Sequence, residues 1–346
     1  TCNTRPVAKD TNATTNEDNT VTIFLSGSDA DGDSLTFSIV SGPSNGSLGA
    51  IIPTGPTTAT VDYSPNLNYN GADSFVYRAN DGNGGIGDAT ASITINPVND
   101  PPSFLAGPTV NVFEDSGSQT IPGWVTSISP GPSDESGQTV TFNVTNNNNA
   151  LFAVQPAVSS NGTLTFTPAL NAFGSATITI VAQDNGGTAN GDNNTSASQT
   201  STINVNGVND EPSFTVGPNQ SVNEDAGPQT VVGWATGISA GPNEGSQTVS
   251  FVTSNNNNGL FSSQPSVSSN GTLTYTPAAN ANGVATVTIF AQDNGGTANG
   301  GDDTSPSQFF TITVNAVNDA PSFTSGGDVT VLEDFGGYSP AWARAI

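Results

Sequence analysis

The residues best placed to do chemistry in this chain are carboxylates and amides that return at a fixed interval. Asn-Asp stands at 99–100, 209–210 and 318–319, at steps of 110 and 109 residues. An acidic phrase precedes each copy by about eighty to a hundred residues, "NED" around Glu17, "FED" around Glu114 and "NED" around Glu224. With 29 Asp and Glu against 4 Lys and Arg, few of these carboxylates can find an ion pair within the chain. Clustered like charges repel and raise one another's pKa unless a cation joins them. A hard divalent cation suits such a set, since Ca²⁺ takes about six to eight oxygen ligands from carboxylates, amides and carbonyls. Glu17, Asn99, Asp100, Asp134, Glu135 and Asp184 form the first candidate group. Glu114, Asn209, Asp210, Glu244 and Asp293 form the second, and Glu224, Asn318 and Asp319 begin a third. Asp29, Asp31, Asp33 and Asp81 form a fourth, at the free end of the first period. The other reading of the same residues is that Asn-Asp and Asp-Gly make solvated turns and cap local backbone groups.

These groups need elements to hold them, and nearly every segment reads as strand. "TVTFNV" (139–144) alternates Val140, Phe142 and Val144 with polar residues. "ATITIVAQD" (176–184) returns as "ATVTIFAQD" (285–293) after 109 residues. Period-two patterning broken by Asn-Gly, Gly-Pro and Ser-Asn turns describes half-buried antiparallel strands. About seven strands per period predict a two-sheet Greek-key sandwich. Core positions are expected at Trp124, Phe142, Phe166, Ile178 and Ile180, with counterparts at Trp234, Phe251, Tyr275, Val287 and Ile289. The fold expected is all-β, tandem seven-stranded sandwiches arranged as a rod, with the acidic residues gathered at the ends of each sandwich. The expected modules are 1–97, 98–207 and 208–316, and 317–346 begins a fourth, with Trp342 where Trp124 and Trp234 stood. Thirty residues cannot bury a core alone. The chain therefore reads as cut within a longer array, or its last segment completes another chain.

Composition excludes several classes. A formal charge of −25 argues against nucleic acid and anionic membrane as partners, since both are bound through clustered Lys and Arg. One Cys and no His leave no disulfide framework, no Cys/His zinc site and no Ser-His or Cys-His pair. No apolar run reaches the roughly 20 residues that span a bilayer. The first residues do not read as a signal peptide, and the absence of Met reads as trimming from a longer chain. Cys2 is read as a leftover thiol, with intermolecular pairing or a lipid anchor as its alternatives.

The repeated "VNDxPSF", the acidic "xED", the "A-x-D-x-G-G" turn and "VDYSPNLNYNGADSFVYRANDGNGG" in the first module resemble the cadherin-like tandem repeats of large bacterial surface and secreted proteins. The resemblance spans the whole chain. It implies calcium held between successive domains, with Glu17, Asn99, Asp100 and Asp184 as ligands at the first joint. Three features depart from the cadherin pattern. The linker lacks a second Asn, the second and third modules lack the D-x-D turn, and "PALNAFG" and "PAANANG" stand where D-R-E would lie. Those departures argue against three ions at a joint and leave none, one or two.

Other motifs are weaker. "DADGDS" has Ser34 and Val40 where an EF-hand loop needs Gly and Glu. "GGIGD" occurs once, whereas β-roll turns need stacked copies. "TNNNNALF" and "SNNNNGLF" are expected as polar hairpin loops, or as a contact surface repeated along the rod. Arg5 lies beside the free acidic end and is expected either to pair with those carboxylates or to stay in solvent.

The leading functional expectation is a non-enzymatic, extracellular or cell-surface structural and adhesive rod, stiffened by calcium. It would contact a cell-surface, glycan or abiotic target and has no membrane span. The alternatives are a self-associating filament or surface-layer subunit joined by strand addition, and a spacer or carbohydrate-binding module of a secreted hydrolase.

Overall fold

The computed structural model describes residues 2–189, 192–334, 336, 337 and 343. Backbone contacts divide the chain into two units, Thr1–Asn206 and Gly207–Ile346. The expectation for Trp342 falls outside the described residues.

The first unit holds two apolar cores. Nine strands surround the first: β1 (Val7–Ala8), β2 (Thr11–Asn16), β3 (Val21–Ser28), β4 (Thr36–Ser41), β5 (Gly46–Leu48), β6 (Ile52–Gly55), β7 (Thr58–Pro65), β8 (Gly71–Asn80) and β9 (Ile86–Asn96). They form two sheets, β1-β3-β7-β5 with β6 also on β7, and β2-β9-β8-β4. From β3 onward the chain changes sheet between β3 and β4, back between β4 and β5, and again between β7 and β8, which gives the Greek-key path. Along β3, Ile23 and Leu25 are buried while Phe24 faces outward. β8 and β9 answer from the facing sheet with Phe75, Tyr77, Ile93 and Ile95. Strict alternation therefore places one face of each sheet in the core.

Around the second core lie β10 (Ser103–Leu105), β11 (Val110–Phe113), β12 (Gln119–Ile121), β13 (Thr126–Ser129), β14 (Thr141–Asn146), β15 (Phe152–Val158), β16 (Leu164–Pro168), β17 (Gly174–Gln183) and β18 (Gln199–Asn206). Their sheets are β11-β18-β17-β14, β12-β16-β15 and the pair β10-β13. The seven-strand plan holds, with two strands broken in each sandwich. The opening strand splits between sheets, as β1/β2 and β10/β11. The other break gives β5/β6 in the first sandwich and β12/β13 in the second. Pro122-Gly123-Trp124 makes this last break. Gly123 takes φ +63°, and Trp124 turns into the core, its indole N–H donating to the Pro108 carbonyl at 3.0 Å. Only glycine fits opposite: a Cβ on Gly107 would lie 2.4 Å from the indole nitrogen.

The second unit repeats the second sandwich, from strand Ser213–Thr215 to strand Gln308–Asn315, with the same sheet orders. Trp234 donates to the Pro218 carbonyl at 2.9 Å. The expected core residues Trp124, Phe166, Ile178 and Ile180 are buried, as are Trp234, Tyr275, Val287 and Ile289. Phe142 and Phe251 are half-buried and pack against the cores.

The asparagine tracts are not hairpin loops. β14 and β15 lie in different sheets, so "TNNNNALF" is a crossover, and its short 3₁₀ turn, Asn149–Leu151, sinks Leu151 and Phe152 into the core. Asn147 Oδ1 accepts the Thr177 N–H, and the Asn146 side-chain amide donates to Gln155 Oε1, both at 2.8 Å. The tract thus closes on its own sandwich.

Candidate functional site

At the base of the first sandwich, the turn after β2 separates its two acidic residues. Asp18 adopts φ +59°, and its Oδ1 accepts the Asn68 N–H at 2.9 Å, which ties the turn to the loop before β8. Asp115 and Asp225 do the same for Asn171 and Asn280. The turn leaves Glu17 pointing into the linker, 2 % exposed. Glu17 Oε1 accepts the Val98 N–H, and its Oε2 is buried without a hydrogen-bond partner.

From above, the second sandwich presents a relay of amides. Asp184 Oδ1 accepts the Gly186 N–H at 2.9 Å and the Asn99 amide at 3.1 Å. That amide also donates to the Asn193 carbonyl, and Asn99 Oδ1 accepts Gln138 Nε2 at 2.8 Å. Glu135, on a 3₁₀ turn, accepts the Asp100 N–H at 2.8 Å through Oε1. Asp134 Oδ2 accepts the Asn70 amide at 2.7 Å. Of these residues Asn70, Asn99, Asp134, Glu135, Gln138 and Gly186 border a cleft of about 360 Å³, which Asp192 also lines.

The electrostatics match the crowding. Burial pushes the Glu17 carboxyl above its ordinary range, Asp134 and Asp18 push it further, and the nearby Asn70 amide opposes them. Asp100 is raised by burial and by Asp18, Asp134 and Asp192. Glu135 is raised by burial and by Asp100, Asp134 and Asp184, against the Asp100 N–H bond. Four more acceptor oxygens here are buried without a hydrogen-bond partner: Glu135 Oε2, Gln138 Oε1, Asp184 Oδ2 and Asp192 Oδ1. Buried polar atoms are nearly always paired, so a group of orphans, all acceptors, asks for a positive charge. Among the described residues no three carboxylates or thiols stand together as a preformed metal cage.

The second unit carries the same relay within itself. The Asn209 amide donates to Asp293 Oδ1 at 3.1 Å and to the Asp302 carbonyl at 2.8 Å. Gln247 Nε2 donates to Asn209 Oδ1 at 2.8 Å, and Glu244 Oε1 accepts the Asp210 N–H at 3.1 Å. Glu244 Oε2, Asp293 Oδ2 and Gln247 Oε1 are again orphaned. Burial raises Glu244, and the charges of Asp210 and Asp293 add to it, against the Asp210 N–H bond and a hydrogen bond from the Gln247 side chain. Asn243 and Gly301 stand where the second sandwich has Asp134 and Asp192. Lower down, Glu224 accepts the Val317 N–H at 2.7 Å, as Glu17 accepts that of Val98. Asn318 and Asp319 are exposed, whereas Asn99 is buried. In the first unit, Glu114 is buried at the base of the second sandwich.

Residues 3–95 match the family model of the bacterial Ig domain. Among solved structures, mouse cadherin-23 repeats EC22–24 superpose with a TM-score of 0.52 at 18 % identity, covering 90 % of this chain and 99 % of that one. Protocadherin gammaB7 EC3–6 gives 0.51 at 18 % identity, with 96 % and 78 % covered. Protocadherin gamma B2 cadherin domains 1–5 give 0.51 at 17 % identity, with 91 % of this chain and 60 % of that chain covered. The chain has the fold of tandem cadherin- and Ig-like β-sandwiches. No curated protein matches it, and at these identities the likeness to cadherins is one of fold.

In the first sandwich the end that carries Asp29, Asp31, Asp33 and Asp81 is organised by backbone and amides. Asp31 accepts the Thr4 N–H at 2.6 Å, Asp29 the Asp31 N–H at 2.8 Å, and Asp33 the Asn83 amide at 2.8 Å. The Asn3 amide, then the Asn83 and Gly85 N–H groups, hold the Asp81 carboxyl below its usual range. Arg5 is exposed, and among the described residues the one ion pair is Arg78–Asp88 at 2.7 Å. The solvent reading of Arg5 is therefore the one the structure shows, and neutral donors do the work expected of its guanidinium.

Sequence reasoning singled out Glu17, Asn99, Asp100, Asp134, Glu135 and Asp184 at the joint in the first unit, and missed Asn70, Gln138 and Asp192. The one available signal was the recurrence of Gln138 as Gln247, 109 residues on. Among the described residues no helix is long and apolar enough to cross a membrane.

Proposed function

We propose that this chain is part of an extracellular structural and adhesive array, in which Ca²⁺ stiffens the joints between successive sandwiches. The division proposed is 1–97, 98–207 and 208–316, with 317–346 opening a further repeat. One observation carries the cation reading: Glu17 Oε2, Glu135 Oε2, Gln138 Oε1, Asp184 Oδ2 and Asp192 Oδ1 are all buried acceptors without donors. An unpaired buried carboxylate oxygen is costly, and a hard cation that prefers oxygen offsets that cost. Glu17 would hold it from below, and Glu135, Asp184 and Asp192 from above, with Asp100 and Asp134 close by. Asn99, whose side-chain oxygen is already engaged by Gln138, would position Asp184. The bound ion would supply charge and cross-linking. The reading assigns no reaction. Each sandwich has its own core, so Ca²⁺ removal should loosen joints without unfolding sandwiches. Calorimetric titration should give dissociation constants on the order of 10⁻⁴–10⁻³ M, as for extracellular modules. Absence of binding at millimolar Ca²⁺ would contradict the reading.

Association between chains is a second reading. Phe323 is 62 % exposed, whereas its counterparts Phe104 and Phe214 are 4 % and 8 % exposed. It fits a sandwich supplied by further chain or by another copy. Sedimentation that stays monomeric with rising concentration would set the second copy aside.

A further inference from the structure

We infer that Gln138 and Gln247 are cation ligands through their side-chain carbonyls. The inference rests on the calcium reading above and deepens it.

The argument is one of hydrogen-bond direction. Ionised Asp184 can only accept, so Asn99 must turn its NH₂ toward Asp184 Oδ1. The Asn193 carbonyl, also an acceptor, lies 3.2 Å from the same nitrogen and fixes the same orientation. Asn99 Oδ1 then faces Gln138, which must present its NH₂ at 2.8 Å. Gln138 Oε1 is left buried and without a donor. It borders the same cleft as Glu135, whose own Oε2 is orphaned in a side chain only 6 % exposed.

Each step recurs in the second unit, through Asp293, Asn209 and Gln247, and it ends in the same orphaned oxygen on Gln247. Gln138 follows Glu135, and Gln247 follows Glu244, by three residues. The spacing lets one short turn present a carboxylate and an amide oxygen together. A neutral amide supplies a ligand oxygen without adding a charge to an already crowded carboxylate group.

The test is calorimetric titration of the full chain with Ca²⁺, comparing Gln138→Ala/Gln247→Ala with Gln138→Glu/Gln247→Glu, and thermal melting in EDTA. If the amides are ligands, the Ala pair weakens binding by about ten-fold or more. The Glu pair, which keeps a ligand oxygen and adds charge, binds more tightly than the native chain and melts lower in EDTA. Opposite signs for the two pairs would separate ligation from mere positioning of Asn99, which both pairs disrupt. Equal weakening by both pairs, or no change in either, would overturn the ligand assignment while leaving the calcium reading intact. A native chain that binds no Ca²⁺ would overturn both.

Discussion

The Asn70 amide donates to Asp134 Oδ2 at 2.7 Å, and the two residues come from different sandwiches of the first unit. Asn70 also lies near enough to Glu17 to counter the rise in its pKa. One neutral amide thus separates two carboxylates that would otherwise face each other across the joint. Asn70→Asp should therefore destabilise the calcium-free chain by about 1 kcal/mol at neutral pH, and added Ca²⁺ should shrink the difference. Chemical denaturation in EDTA and in Ca²⁺ measures both.

The pH dependence follows from Glu17, Asp100 and Glu135, all raised in the folded chain. A carboxyl raised on folding binds its proton more readily in the native state, so stability falls as pH rises through that range. Lowering the pH of the calcium-free chain from about 7 toward about 5, just above ordinary carboxylate values, should strengthen the first unit. Asp81 and Asp88 are lowered and act oppositely, losing their contribution as pH falls through their folded values. With Ca²⁺ present, protons compete for the same oxygens and the joint should weaken on acidification. Melting curves across pH, with EDTA and with Ca²⁺, should slope in opposite directions.

In the second core, Phe166 is 1 % exposed and meets Phe152 edge to face at 5.8 Å. Phe166→Ala should cost roughly 3–5 kcal/mol. Half-buried Phe142→Ala should cost less. Equal losses in urea denaturation would contradict this ranking.

Gly107→Ala tests the broken strand β12/β13. The added methyl meets the Trp124 indole at 2.4 Å, and overpacking of this kind costs roughly 1–3 kcal/mol. The indole should lose its bond to the Pro108 carbonyl, and tryptophan emission should shift to the red. Unchanged emission and stability would show that the pocket yields without loss.

The strands were legible because Thr, Val and Ile alternate without interruption along β17 and its counterpart Gly283–Gln292. The break at Trp124 was not read, although Pro122-Gly123 in "QTIPGWVTSI" is a turn signal; the strand formers on both sides masked it, and the packing of the indole shows why the ladder stops there. The asparagine tracts misled for a similar reason. Polar loops join strands within a sheet and between sheets alike, and the burial of Leu151 and Phe152 distinguishes the two. At the joint, period and charge located Glu17, Glu135 and Asp184. The role of Gln138 depends on which end of Asn99 faces Asp184, a matter of hydrogen-bond direction that residue types do not encode. Asp18 shows the converse: an acidic residue next to Glu17 is spent on holding Asn68.

Small-angle scattering of the full chain, in millimolar Ca²⁺ and then in EDTA, tests the proposal that cations stiffen the joints most directly. The distribution of interatomic distances should broaden on chelation while the far-UV circular dichroism stays that of folded β-sandwiches, and Ca²⁺ should restore the narrower distribution. Superimposable scattering in the two buffers would contradict it.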